Sequence, residues 1–303
     1  MNMDNSEAAS GKGKRQARAS SKKANTGSIV PEVDLSVLAS LLDGVSDGNG
    51  AVILDALKQN PTDIDPLINK IVNSRAIERR KKLAQTIDTM ESGCIEADFS
   101  YVGLPADAQA MDFKSAYDVH LRPRLDKRAD GFAVIFGRLD KHPRPLIIET
   151  GCLRVPDNWE GDGQSTFQFD WYARERQGSV FTIDINPASI DSARRACSGT
   201  TSTILNDSRP ALHALGQNCK RPASLLYLDS FDLDLNDPMP SAMHHATEMM
   251  AARGLIGEGT IICVDDFDVP PLGAGGKGLI VDQFMASIGA RLLYSGYQKI
   301  WEL

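Results

Sequence analysis

The run Ile261-Ile262-Cys263-Val264 leads directly into two adjacent carboxylates, Asp265 and Asp266. Side chains alternate along a strand, so both acids reach one side only where the chain leaves the sheet. The doublet has company. Four earlier apolar runs end in Glu149, Asp184, Asp207 and Asp229. A single acid after a strand is ordinary, because polar residues commonly cap the helix that follows. Successive strand ends that all close in acids read instead as a ring of carboxylates around one crevice. The first turn, "IETGCLRVPDNWEGDGQST", opens with Glu149, Thr150 and Gly151 but has Arg154 and Val155 where a dinucleotide-binding turn carries its later glycines. That disfavours a nicotinamide dinucleotide. A ligand without phosphates, bearing an amino-acid head and a ribose, suits the acids better: Glu149 facing an ammonium or sulfonium end, and Asp184 accepting from both ribose hydroxyls.

Other residues nearby admit two readings each. His244 and His245 open a helix close to Asp229 and serve either as a base or substrate contact, or as surface residues. Trp159 either stacks on a substrate ring or packs. Cys152 reads as a small packing residue, since no histidine accompanies it in sequence. Asp232 and Asp234 read as solvated loop acids. The stretch "GAGGKG", residues 273–278, lacks the spacing of a phosphate loop and the hydroxyl residue after its lysine. It reads as a flexible loop over the site, with Lys277 placed to contact substrate.

The elements that must position these residues follow from periodicity. From "PLIIET" onward, buried apolar runs ("SVFTIDIN", "TSTILND", "SLLYLDS", "TIICVDDF") alternate with amphipathic stretches such as "PASIDSARRAC" and "AMHHATEMMAARGLI". This pattern predicts an α/β fold with an open, mostly parallel sheet. Two strand-like runs joined at Ser295-Gly296 predict a C-terminal antiparallel hairpin. In such sheets ligands bind beyond the carboxyl ends of the strands, where strand order reverses. The earlier stretch "ADFSYVGLPADAQAMDFKSAYDVHLRPRL" shows no clear period and reads as a connecting segment that covers the site.

From about Pro145 onward the sequence resembles the class I S-adenosylmethionine-dependent methyltransferases. "IIETG" stands as the first motif, "FTIDIN" as the ribose-binding acid and "LND" as the acid near the adenine. "LYLDSFD" followed by "IICVDDF" is similar to the macrocin-type sugar O-methyltransferases and to cephalosporin hydroxylase-like proteins. The resemblance covers about half of the chain. It implies a Rossmann-like methyltransferase fold and S-adenosyl-L-methionine as cofactor, held by Glu149, Thr150, Gly151, Asp184 and Asp207. It implies Mg2+ (or Mn2+) on Asp229, Asp265 and Asp266, and a small-molecule hydroxyl acceptor, a sugar or other polyhydroxylated molecule. Catalytic roles then fall to Asp229, His244 and His245. Two rivals stay open: a cofactor-binding protein without turnover, and a different reaction, as in the hydroxylase-like relatives, on the same fold.

The chain of 303 residues is 42% hydrophobic, enough for a substantial core, and carries a formal net charge of -7. An acidic body argues against a general nucleic-acid binder. Five scattered cysteines suggest neither a zinc site nor a disulfide framework. With no long apolar run and no signal-like start, the expectation is a cytoplasmic protein off the membrane. The expected organisation is a disordered basic tail over 1–30, a helical region over 31–130 and the Rossmann-like domain over 131–303. The helical region offers a lid or a contact between copies in a homo-oligomer. Residues 1 to about 28 offer almost no apolar surface to offset the entropy of ordering. Their removal should leave the cooperative melting transition unchanged, and limited proteolysis should trim them first; a truncated protein that loses its transition would contradict this.

Overall fold

The computed structural model describes residues 90–92 and 96–303, all within one compact unit. The basic tail and most of the predicted helical region, residues 31 to 89, lie outside the described residues.

Among the described residues the main sheet has eight strands: β1 (Met90–Ser92), β2 (Leu146–Thr150), β3 (Ser179–Asp184), β4 (Thr201–Leu205), β5 (Leu225–Leu228), β6 (Ile261–Val264), β9 (Arg291–Ser295) and β10 (Lys299–Glu302), with β7 (Asp268–Val269) and β8 (Gly273–Ala274) forming a separate small pair. Their order is β1-β4-β3-β2-β5-β6-β10-β9. The five central strands run parallel, and β10 lies antiparallel between β6 and β9. This is the open, mostly parallel sheet with a C-terminal antiparallel hairpin that the periodicity predicts, in the Rossmann-like arrangement that the resemblance implies. The chain leaves β2 toward β3 on one side and returns to β5 on the other, so the crevice opens at the carboxyl ends of β2 and β5.

The strands are apolar on both faces because both faces are covered. Ile147, Leu225, Tyr227, Ile261 and Cys263 enter one core cluster, while Ile148, Leu226, Leu228, Ile262 and Val264 enter the other. The first cluster is packed by helices α1 (Ala129–Leu139) and α2 (Ser165–Glu175). Helix α3 (Pro187–Ala196) starts at the Asn186 cap, with proline at its first position. Helices α4 (Ser208–Asn218), α5 (Met239–Ala251) and α6 (Leu279–Ser287) pack the second cluster.

The stretch before α1, expected only to connect and to cover the site, is built into the first core. Phe99, Val102, Phe113, Tyr117, Leu121 and Leu125 are all buried there. Trp159 packs too, its indole N–H donating to the Val102 carbonyl at 2.8 Å. Phe132 on α1 lies stacked over Tyr227 of β5 with centroids 5.9 Å apart, and so ties helix to sheet beneath the crevice. Truncating this fully buried ring in Phe132→Ala should cost about 3–5 kcal/mol, the usual scale for an aromatic deleted from a core. Urea unfolding followed by circular dichroism measures it. A loss well under about 1 kcal/mol would mean that α1 is not anchored through this residue.

Candidate functional site

Gly151 turns the chain out of β2 at φ 78°, a conformation that L side chains rarely adopt, and a Cβ there would come within 2.5 Å of the Asp229 carbonyl oxygen. The turn after β2 therefore presses directly against the end of β5. A narrow cleft beside it is lined by Gly151, Cys152, Arg154, Asp162, Ser165, Asp184, Asp229 and Ser230. Arg154 spans the mouth, pairing with Asp162 at 3.3 Å and with Asp232 at 2.8 Å.

Each strand-end acid has its own surroundings. Asp184 is half-buried at the cleft; one oxygen accepts from the Asn186 amide at 2.7 Å and the other from the Cys152 amide at 3.1 Å. Glu149 is fully buried rather than facing the opening. It accepts from Ser165 and Thr166 at the start of α2 and from Thr182 of β3, at 2.6, 2.7 and 2.6 Å. Burial pushes its carboxyl up to about 7, against the pull of those three hydroxyls. Thr150 is buried and donates to Glu248 at 3.3 Å. Asp207 caps α4 and is held by the Arg209 side chain at 3.0 and 2.6 Å, bonds that lower its carboxyl.

The two histidines gather around Glu248 of α5. His244 Nε2 lies 3.3 Å from both Glu248 and Ser208, and His245 donates from Nδ1 to the Ser241 carbonyl at 2.7 Å. His245 is buried, which pushes it down to about 4 and leaves it neutral at physiological pH. Burial raises Glu248, yet its hydrogen bonds and the histidines hold it below the usual range. Ser230 donates to Glu248 at 2.5 Å, linking this group to the chain position next to Asp229. The histidines thus stand behind the end of β5, and Asp229 stands with the doublet.

Asp229, Asp265 and Asp266 converge: one oxygen from each lies within 4.8 Å of the others. Asp265 ends β6 fully buried, while Asp266, at φ 48°, breaks from strand geometry so that both acids face one point. Two buried cations meet them. Arg128 donates from Nε to Asp265 at 2.8 Å and lies 3.5 Å from Asp266. Lys277 Nζ lies 2.5 Å from Asp229 and 2.9 Å from Asp266. Tyr297 also donates to Asp266. Burial raises Asp229 and Asp265; it opposes the ionisation of Asp266 as well, but there the Lys277 charge and the Tyr297 bond prevail and hold the carboxyl at about 2. Sequence reasoning missed Arg128, which precedes α1 without any motif. Lys277 is buried rather than exposed on a loop surface. Gly276 (φ 38°) lies so close to the Asp266 carbonyl that a Cβ would collide with it, and this approach delivers the lysine.

The trio fits a divalent cation: three carboxylates share one point, and the second oxygen of Asp265 is buried without a partner among the described residues. Asp184 beside the Gly151 turn fits a vicinal diol.

No protein-family model and no curated protein matches the chain. Among solved structures the chain is similar to S-adenosylmethionine-dependent methyltransferases. A Podospora anserina methyltransferase bound to S-adenosylhomocysteine is 17% identical over 65% of this chain and 88% of that one, with TM-score 0.41. A TDP-rhamnose 3'-O-methyltransferase of calicheamicin biosynthesis is 13% identical over 75% and 93%, with TM-score 0.40. A methyltransferase of the mycinamycin pathway, solved with magnesium and S-adenosylhomocysteine, is 14% identical over 55% and 48%, with TM-score 0.37. Among the described residues no helix is long and apolar enough to cross a membrane.

Glu149 supplies a pH signature for the turn. Its folded value of about 7 stands above the ordinary 4.5, so the stability it confers is complete below about 4.5 and is lost as pH rises through 7. Each tenfold difference in proton affinity between the folded and unfolded chain is worth about 1.4 kcal/mol, so the loss amounts to roughly 3 kcal/mol. Glu149→Gln should flatten the fall in unfolding free energy over that window, measured by urea titration at several pH values. Equal slopes in variant and parent would contradict this.

Proposed function

We propose that the chain is an S-adenosylmethionine-dependent O-methyltransferase, assisted by a divalent cation, acting on a hydroxyl of a sugar or another small polyhydroxylated molecule. The observation that carries this reading is the pairing, across the Gly151 turn, of Asp184 at the end of β3 with the Asp229, Asp265 and Asp266 trio at the ends of β5 and β6. The sequence resemblance of the same strand ends to class I methyltransferases supports it.

In this reading Asp184 binds the ribose hydroxyls, the Gly151 turn supports the amino-acid end, and Glu149 braces that turn from beneath by holding the first turn of α2. Asp207 flanks the base as the cap of α4. When bound, the cofactor supplies an electrophilic methyl group, and a divalent cation on the trio lowers the pKa of the acceptor hydroxyl. The chain's own contribution is orientation and proton transfer: the hydroxyl is aligned with the methyl group, and Asp229 accepts the proton that the oxygen loses. His244, His245 and Glu248 position Asp229 through Ser230. The exposed Phe231, Leu235 and Met239, which follow Asp229 in the chain, offer an apolar rim to the acceptor.

Calorimetric titration with S-adenosylhomocysteine tests the cofactor. Asp184→Ala should weaken binding by roughly 1.5–3 kcal/mol, the scale of hydrogen bonds to a charged group. No binding by the unmutated protein under metal-replete conditions removes the reading. Formation of S-adenosylhomocysteine and of an O-methylated product with a panel of sugars then separates turnover from cofactor binding alone.

A further inference from the structure

The acid trio already holds a cation. We infer that the Lys277 ammonium and a divalent ion are alternative occupants of the Asp229, Asp265 and Asp266 site, so that metal loads only as Lys277 withdraws. The inference rests on the metal-assisted reading above and adds a residue that gates it.

Three observations lead here. First, Lys277 Nζ sits 2.5 Å from Asp229 and 2.9 Å from Asp266, so it uses oxygens from two of the three acids that would ligate an ion. Second, a divalent ion alone balances the charge of the site. With all three carboxylates ionised, the trio and Arg128 would carry a net charge of -2, which one divalent ion neutralises. Lysine alone leaves the site one charge short of neutral, and both cations together leave one positive charge in excess; a buried net charge is disfavoured either way. Third, Asp265, one of the three converging acids, keeps a buried oxygen that Lys277 leaves without a partner among the described residues. A divalent ion would take up that oxygen.

Lys277 lies in a glycine-rich loop. Gly275, Gly276 and Gly278 surround it, and the first two adopt φ of 129° and 38°. Glycines cross between such conformations without a Cβ penalty. The loop is tied to the doublet by main-chain bonds, from Lys277 N to the Asp266 carbonyl at 3.2 Å and from Gly275 N to the Phe267 carbonyl at 3.0 Å. Withdrawal of the side chain therefore need not uncouple the loop from the site.

An occupied site weakens a ligand's apparent affinity in proportion to how rarely it is open. If Lys277 fills the site for roughly nine-tenths or more of the time, Lys277→Met, which keeps most of the stem and removes the charge, should bind Mn2+ and Mg2+ about 10- to 100-fold tighter than the parent. Titration calorimetry and the metal dependence of the melting temperature both read this out, with Lys277→Gln as a second variant. Unchanged or weaker binding in folded variants overturns the inference while leaving the metal site standing. If neither parent nor variants bind a divalent ion, yet S-adenosylhomocysteine still binds, the metal-assisted reading falls and the inference with it. A parent crystal soaked in Mn2+ gives an answer that does not depend on the variants folding. Anomalous density among the carboxylates with Lys277 Nζ drawn away supports the exchange; density with Nζ still bonded to both Asp229 and Asp266 overturns it.

Discussion

A carboxylate taken wholly out of water must be compensated where it stands, and Asp265 at the end of β6 is such a group. Much of the architecture follows from that requirement. The Arg128 guanidinium arrives from the segment before α1 to pair with Asp265, while Lys277 from a glycine-rich loop before α6 and the Tyr297 hydroxyl from the β9–β10 hairpin meet the adjacent Asp266. Segments far apart in sequence are drawn to one point. Arg128 is fixed in turn: it donates to the Glu160 carbonyl at 3.0 Å and lies over the Tyr297 ring. Charge compensation and packing thus reinforce one another, and loss of one cation would leave the others facing unbalanced acids.

The crevice has a second brace on each side. Glu149 gathers hydroxyls from α2 and β3, while Glu248 gathers Thr150, Ser230 and the two histidines from the other face of the sheet. Both are buried acids that bind side chains of the chain itself. They hold Gly151 and Asp229, the residues that meet across the switch point, in fixed relation. This division of labour sets Asp184 and the trio apart from the two acids that brace the fold.

Much of this was legible in the sequence. The alternation of apolar runs and amphipathic stretches predicted the parallel sheet, and Ser295-Gly296 marked the hairpin. A ring of strand-end carboxylates also followed, because strand ends in an open sheet share one edge; the grouping of Asp229 with Asp265 and Asp266 came from the family resemblance. What periodicity does not carry is the identity of partners. Arg128 reads as one more basic residue in a charged stretch, since its significance depends on contact with a residue 137 positions away. Glu149 looked available to a ligand because its three hydroxyl donors come from two other elements. The core role of Phe99 to Leu125 was hidden because that segment folds as short turns, and no single period marks its buried residues.

Strand β10 follows β9 in the chain yet lies inside it in the sheet, between β9 and β6. During synthesis β6 therefore has no neighbour on that side until residues 299–302 have left the ribosome, and β9 has none at all. An unpaired strand edge invites pairing with other chains, and late, non-local closure lengthens the period of exposure. The same event brings in Tyr297, so the acid pair at the end of β6 acquires its last partner only when the sheet closes. The hairpin that completes the sheet thus also completes the charged centre.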